Sequence, residues 1–132
     1  MSVISFSPMA RARSIDGANE ARVHQIRVIR FTAFFERAQG LLLREHLLDQ
    51  FVVALSPCRA IHTVGMRWAI DVAFLDRFGK VLEIRERLRP LRFSFARSKE
   101  TFETLELAAG QIRAKNIRPG DFCMLQEDKS DE

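Results

Sequence analysis

The chain has no tyrosine, one tryptophan and two cysteines in 132 residues. Two cysteines exclude a four-cysteine zinc site by count. Cys58 and Cys123 are 65 positions apart, and in a reducing compartment such a pair reads as two buried thiols rather than a disulfide. No apolar run reaches the length of a membrane-spanning helix, so none is expected. The opening residues have a short apolar patch and then Arg11 and Arg13, the reverse of a secretory leader's order, so a cytoplasmic protein is expected. There is no internal repeat and no low-complexity tract.

What is present fits one globular domain: 47% hydrophobic residues, 29% charged, and eleven phenylalanines that give the core aromatic volume without polar tips. The net charge is +4, and 17 of the 21 basic residues are arginine, which suits bidentate contacts to carboxylate or phosphate. Net charge alone says little about function, so a solvated basic surface is read ahead of a nucleic-acid surface.

Residues 1–21 lack periodicity and read as a flexible arm, followed by a single β-rich domain over 22–126 and a disordered charged tail over 127–132. His24 to Phe31 is β-branched and reads as a strand. Thr32 can cap a short helix over Ala33 to Gln39, with Gly40 ending it, and the leucines at 41 to 43 follow as a buried run. Phe51 to Leu55 is a short strand that Ser56-Pro57 ends. Ala69 to Leu75 and Lys80 to Leu88 form a hairpin around Asp76-Arg77-Phe78-Gly79, with Leu82, Ile84 and Leu88 facing in and Glu83, Arg85 and Arg87 out. Thr101 to Leu107 is another strand, and Ala108 to Lys115 reads as a short helix with Gly110 inside it. Pro119-Gly120 is a type II turn before a last strand, Phe122 to Gln126. The expected fold is mainly β: a sandwich or partly closed, jelly-roll-like barrel with one or two short helices.

Pro57 to Asp76 holds the only Trp, a Cys and a His, and its apolar run from Ala69 to Leu75 is broken once, by Asp71. A buried carboxylate is costly without partners, so Asp71 must meet an arginine, a set of backbone N–H groups or a ligand. Several segments carry a resemblance. Arg37-Ala38-Gln39-Gly40-Leu41-Leu42 is similar to the opening signature of the domain-of-unknown-function family 192. Pro57-Cys58, Ile61-His62-Thr63, Gly65-Met66-Arg67 and Ile70-Asp71 leading to Phe74-Leu75-Asp76 are similar to its central signature. Gly79-Lys80-Val81, Pro90, Leu105-Glu106-Leu107-Ala108-Ala109-Gly110 and Gly120-Asp121 follow in its order. The resemblance spans about Arg27 to Gln126 and implies a small β-rich domain, with no established activity.

Cys58, His62 and Met66 would line one helical face and suit copper. Pro57 and Gly65 argue for extended chain, where a four-residue step covers roughly 13 Å, so structural roles and no metal are expected. His62 and Asp71 can form an acid–base pair, against the plainer reading that Asp71 anchors a turn or pairs with Arg67. Glu106 lies between leucines and points outward by alternation; if inward, it needs Arg37, Arg67 or a similar partner. Arg85, Arg87, Arg89, Arg92 and Arg97, with Phe93 and Phe95, can serve nucleic acid, but the alternation favours a solvated face over two core phenylalanines. The resulting expectation is a non-enzymatic binding or accessory domain without a cofactor. Its ligand site is placed at Arg37, His62, Met66, Arg67, Asp71 and Glu106, and its partner is a small polar or anionic ligand or a protein segment rather than nucleic acid. The alternative is a small metal-dependent or His62/Asp71 hydrolase-like enzyme, with Cys58 as a further candidate.

Overall fold

The structure, a computed structural model, describes residues 20–31, 48, 50–64 and 66–128. Most of the N-terminal arm, the helix over Ala33 to Gln39 with its Thr32 cap, Gly40, the leucine run, Arg37, Gly65 and residues 129–132 lie outside these.

The described residues form eight strands and one helix: β1 (Val23–Phe31), β2 (Val52–Leu55), β3 (Ala60–His62), β4 (Ile70–Asp76), β5 (Val81–Leu88), β6 (Phe93–Phe95), β7 (Thr101–Ala108), α1 (Gln111–Lys115) and β8 (Phe122–Glu127). Six strands make a mixed sheet in the order β5-β4-β7-β2-β1-β8, and β3 and β6 make a separate ribbon. β1 runs parallel to both of its neighbours, and the remaining pairs are antiparallel.

The two edges of the sheet approach each other at one corner. Lys80 and Phe122 form an isolated bridge. Beside it the Val81 N–H donates to the Asp121 carbonyl and the Cys123 N–H to the Gly79 carbonyl, both at 2.8 Å. Contact between the edges is confined to this corner, so the sheet curls without closing into a barrel.

The sheet is covered on both faces. One face buries Ile26, Val28, Val52, Ala73, Leu75, Leu105 and Leu107 against Ile112 of α1 and Ile117. The other buries Val53, Leu55, Val72 and Phe74 against Cys58, Ile61 and Met66, which the ribbon and its loops supply. β4 is therefore buried at six consecutive positions, which explains its continuous apolar run. Fully burying a side chain such as Phe74 stabilises by about 1.5–3 kcal/mol.

The hairpin and its turn stand where the sequence places them. Gly79 takes a φ of 91° in the turn, and the Asp76 carboxylate accepts from the N–H groups of Phe78 and Lys80 at 2.8 and 2.9 Å. The 119–120 turn also holds, with Gly120 at φ 96° and the Asp121 N–H bonded to the Arg118 carbonyl.

Five expectations are corrected. Gly110 is not inside a helix: β7 runs to Ala108, and Gly110 precedes α1 at a φ of 92° that other residues rarely adopt. Phe93 and Phe95 are not core residues, because the ribbon turns Ser94 and Ile61 toward the sheet. In β7, Glu106 is buried rather than outward, since beyond Phe102 this strand is covered on both faces. In β5 a bulge breaks the period of two, so Leu88 packs on the opposite face from Ile84, and Glu83 is turned against the chain at Arg97 and Ser98. Glu127 belongs to β8 and pairs with Arg30 rather than to a loose tail.

Candidate functional site

Asp71 is completely buried, and its partners are backbone N–H groups. One oxygen accepts from Arg87 at 2.9 Å, the other from Gly110 at 3.0 Å and Ile112 at 2.8 Å. The β5 bulge, with Arg87 at φ 53°, coincides with the Arg87 N–H that is turned toward Asp71. Gly110 has no side chain to cap α1, so Asp71 caps it from a distant strand. Of the partners foreseen for Asp71, backbone amides fill the place, not Arg67 and not His62.

Glu106 lies on the opposite face of the sheet. Its register partners are Val53 and Val72, which face the ribbon side, whereas Asp71 stands beside Leu107, which faces α1. The sheet thus separates the two carboxylates. Met66 is buried on the same side as Glu106, beneath the loop that follows β3. His62 is half-buried at the end of β3; its Nδ1 accepts from the Val64 N–H at 3.3 Å, and its ring centroid is 5.9 Å from that of Phe93. Arg67 is exposed, with its guanidinium 4.5 Å from the Trp68 ring centroid. His62, Met66 and Arg67 thus follow one another along β3 and the loop after it, Glu106 lies on the sheet face toward the ribbon, Asp71 faces the other way, and Arg37 is outside the described residues.

Thr63 fixes this end. Its hydroxyl donates to the Arg89 carbonyl at 2.7 Å and accepts from the Arg92 N–H at 2.9 Å. Glu83 fixes the far end of β6, accepting from the N–H groups of Arg97 and Ser98 and from the Arg85 guanidinium, all at 2.8–2.9 Å. Burial pushes Glu83 upward, but these donors outweigh it and hold its carboxyl below the usual range. The ribbon is thus tied at both ends while Phe93 and Phe95 stand two-thirds exposed on its outer face.

A histidine–carboxylate pair does exist, at a place that the sequence reading did not single out. His24 Nε2 lies 2.8 Å from Asp121, which also accepts from the N–H groups of Arg22 and Arg118. Cys123 is the register partner of His24. Burial, with the negative charges of Asp121 and Glu103, pushes the Cys123 thiol up to about 12, the reverse of an activated nucleophile. The group joins the start of β1 to the start of β8. Its signal in the sequence was an aspartate directly after a Pro-Gly turn. A cavity of about 340 Å³ opens nearby, lined by Gln25, Arg27, Gln50, Gln111 and Lys115 among others, and none of the candidates drawn from the sequence lines it. Among the described residues, no helix is long and apolar enough to cross a membrane.

A model of domain-of-unknown-function family 192, described as an uncharacterized ACR, matches residues 15–124. The chain belongs to this family. No curated protein matches it. Two solved structures share its fold. One is a protein of unknown function from Novosphingobium aromaticivorans, 21% identical, covering 83% of this chain and 79% of that one at a TM-score of 0.55. The other is a candidate transcription regulator from Sinorhizobium meliloti, 19% identical, covering 83% and 86% at a TM-score of 0.55. At such identities the likeness is one of fold.

In this member of family 192 the signature residues are largely occupied with the scaffold. Asp71 caps α1 and Thr63 ties the ribbon's return. Gly79 leaves no room for a side chain, since a Cβ there would stand 2.5 Å from the Cys123 carbonyl oxygen. Asp121 binds the first and last strands together.

Proposed function

We propose that this domain is a non-enzymatic binding module, and that its working surface is the outer face of the β3–β6 ribbon with the loop from His62 to Trp68. One observation carries the reading: a short ribbon, anchored at both ends, turns Phe93 and Phe95 to solvent, and Leu91, Val64 and Trp68 of its flanking loops are exposed as well. Scattered apolar residues need no explanation, but a cluster rimmed by polar groups marks an interaction site. His62 and Arg67 belong to this surface. Met66 supports it from beneath, and Glu106 is assigned to the layer below. Asp71 serves the scaffold.

The test is a backbone amide NMR titration of the full chain with inorganic phosphate, an acidic peptide and a short oligonucleotide in turn. The expected outcome is that at least one shifts His62, Val64, Trp68, Phe93 and Phe95 together. Shifts centred instead on Gln25, Arg27 and Gln111 would move the site to the cavity and overturn the reading.

A further inference from the structure

Resting on that reading of the surface, we infer that the ribbon face binds single-stranded nucleic acid, with Phe93 and Phe95 stacking on bases and Arg59, Arg92 and Arg97 holding phosphates.

The rings come first. Phe93 and Phe95 alternate with inward Ser94, so both point the same way from a strand that is tied at its ends. Two residues of strand place them about 7 Å apart. That is roughly twice the 3.4 Å step of stacked bases, so two successive unstacked bases can each take one ring. The His62 ring beside Phe93 extends the platform.

Charge supplies the second argument. Residues 56–69 and 89–100, which build the ribbon and its loops, contain Arg59, Arg67, Arg89, Arg92, Arg97 and Lys99 against Glu100 alone. Six basic residues and one acidic one give +5, more than the +4 of the whole chain, so the rest of the protein is slightly acidic. Two arginines outside the ribbon are matched, Arg30 to Glu103 and Glu127, and Arg85 to Glu83. Among the described residues, Arg59, Arg89, Arg92 and Arg97 are in no ion pair, and the guanidinium groups of Arg59 and Arg92 meet only backbone carbonyls at 3.4–3.5 Å. Glu83, at the end of β6, is turned inward onto the N–H groups of Arg97 and Ser98 and is matched by the Arg85 guanidinium.

The combination selects the partner. A second copy of the chain would set one basic face against another. An acidic peptide would satisfy the arginines but not the rings, whose faces are electron-rich. In a duplex the base faces are already stacked. A single strand offers both phosphates and open base faces, the pairing that stacking platforms use.

The test is fluorescence anisotropy of a labelled oligothymidylate of about 16 nucleotides, near the upper site size of such platforms, with the full chain over a salt series. Binding is expected at low salt, weakening with a log–log slope of about −2, or −0.7 for each of three phosphates. Phe93→Ala/Phe95→Ala should weaken it about ten-fold or more. Arg92→Gln/Arg97→Gln should make the slope shallower by about 1.4. Phe78→Ala, at the most exposed aromatic of the β4–β5 turn, should leave binding unchanged. All these side chains are solvent-facing, and circular dichroism checks that each variant folds. Absent binding, binding indifferent to salt or to loss of both rings, or tighter binding of a duplex of equal length would overturn the inference. An acidic peptide shifting the ribbon amides while the oligonucleotide shifts none would overturn it and leave the binding-module reading standing. Binding confined to the cavity would overturn both.

Discussion

Replacing Asp71 with asparagine should cost the domain about 3–5 kcal/mol. The carboxylate accepts three N–H groups, one on Oδ1 and two on Oδ2, in a place with no access to water. An amide keeps a single acceptor oxygen. If that oxygen faces Gly110 and Ile112, the side-chain NH₂ points at the Arg87 N–H; if it faces Arg87, two amides of the helix start lose their acceptor. Hydrogen bonds to a charged acceptor contribute roughly 1.5–3 kcal/mol each, and a buried polar group left unmatched costs about 1–3 kcal/mol. Asp71→Ala orphans all three amides and should approach the roughly 5–15 kcal/mol that holds a typical domain together. The assay is urea unfolding followed by far-ultraviolet circular dichroism. At a slope of roughly 1.5 kcal/mol per molar, the asparagine variant should lower the midpoint by about 2–3 M. Hydrogen exchange gives a local reading: five residues of helix do not hold alone, so the amides of Gln111 to Asn116 should lose protection before those of β4. An asparagine variant within about 1 kcal/mol of the parent, with α1 still protected, would refute the capping role and return Asp71 to the candidates for ligand contact.

Three further outcomes follow from the same geometry. Gly79→Ala should destabilise by more than about 2 kcal/mol, because positive φ is combined with a backbone clash on Cys123, whereas Gly120→Ala, with open space around it, should lose only the conformational part of about 1–2 kcal/mol; equal melting temperatures for the two would contradict this. Neither thiol should react with a disulfide reagent near pH 8 before unfolding, since both are buried and the Cys123 thiol is pushed up to about 12; rapid modification of one thiol in the folded protein would count against it. Arg30→Met should destabilise by roughly 1–3 kcal/mol at pH 7. Burial raises the Glu103 carboxyl above its ordinary range although Arg30 opposes it. Ionising Glu103 therefore subtracts stability as pH rises from the ordinary carboxylate range through its folded value, and removing Arg30 deepens that loss. The deficit should shrink below about pH 4, where Glu103 is protonated folded and unfolded alike; a deficit that does not change with pH would refute it.

What could be read from the sequence was local. The β4–β5 hairpin, its Gly79 turn and the Pro119-Gly120 turn depend on neighbouring residues, and the pattern carries them. The need for partners at Asp71 was legible too, but not their identity, since the three amides come from 16, 39 and 41 positions away. Alternation failed where its premise failed. It assumes one wet face, and β7 beyond Phe102 has none, so Glu106 reads as exposed when it is buried. At Phe93 and Phe95 the error ran the other way. Hydrophobicity places them inside, but the face beneath the ribbon is already filled by Leu55, Val72, Phe74 and Met66, and only Ile61 and Ser94 fit against it. These misplacements bear on where function should be sought. The family-like motifs lead to Asp71, Thr63, Gly79 and Asp121, whose contacts account for the fold. The residues left without a structural task, Phe93, Phe95 and the unpaired arginines around them, lie outside those motifs. If the ribbon face is the working surface, substitutions that change affinity without changing stability should fall on it.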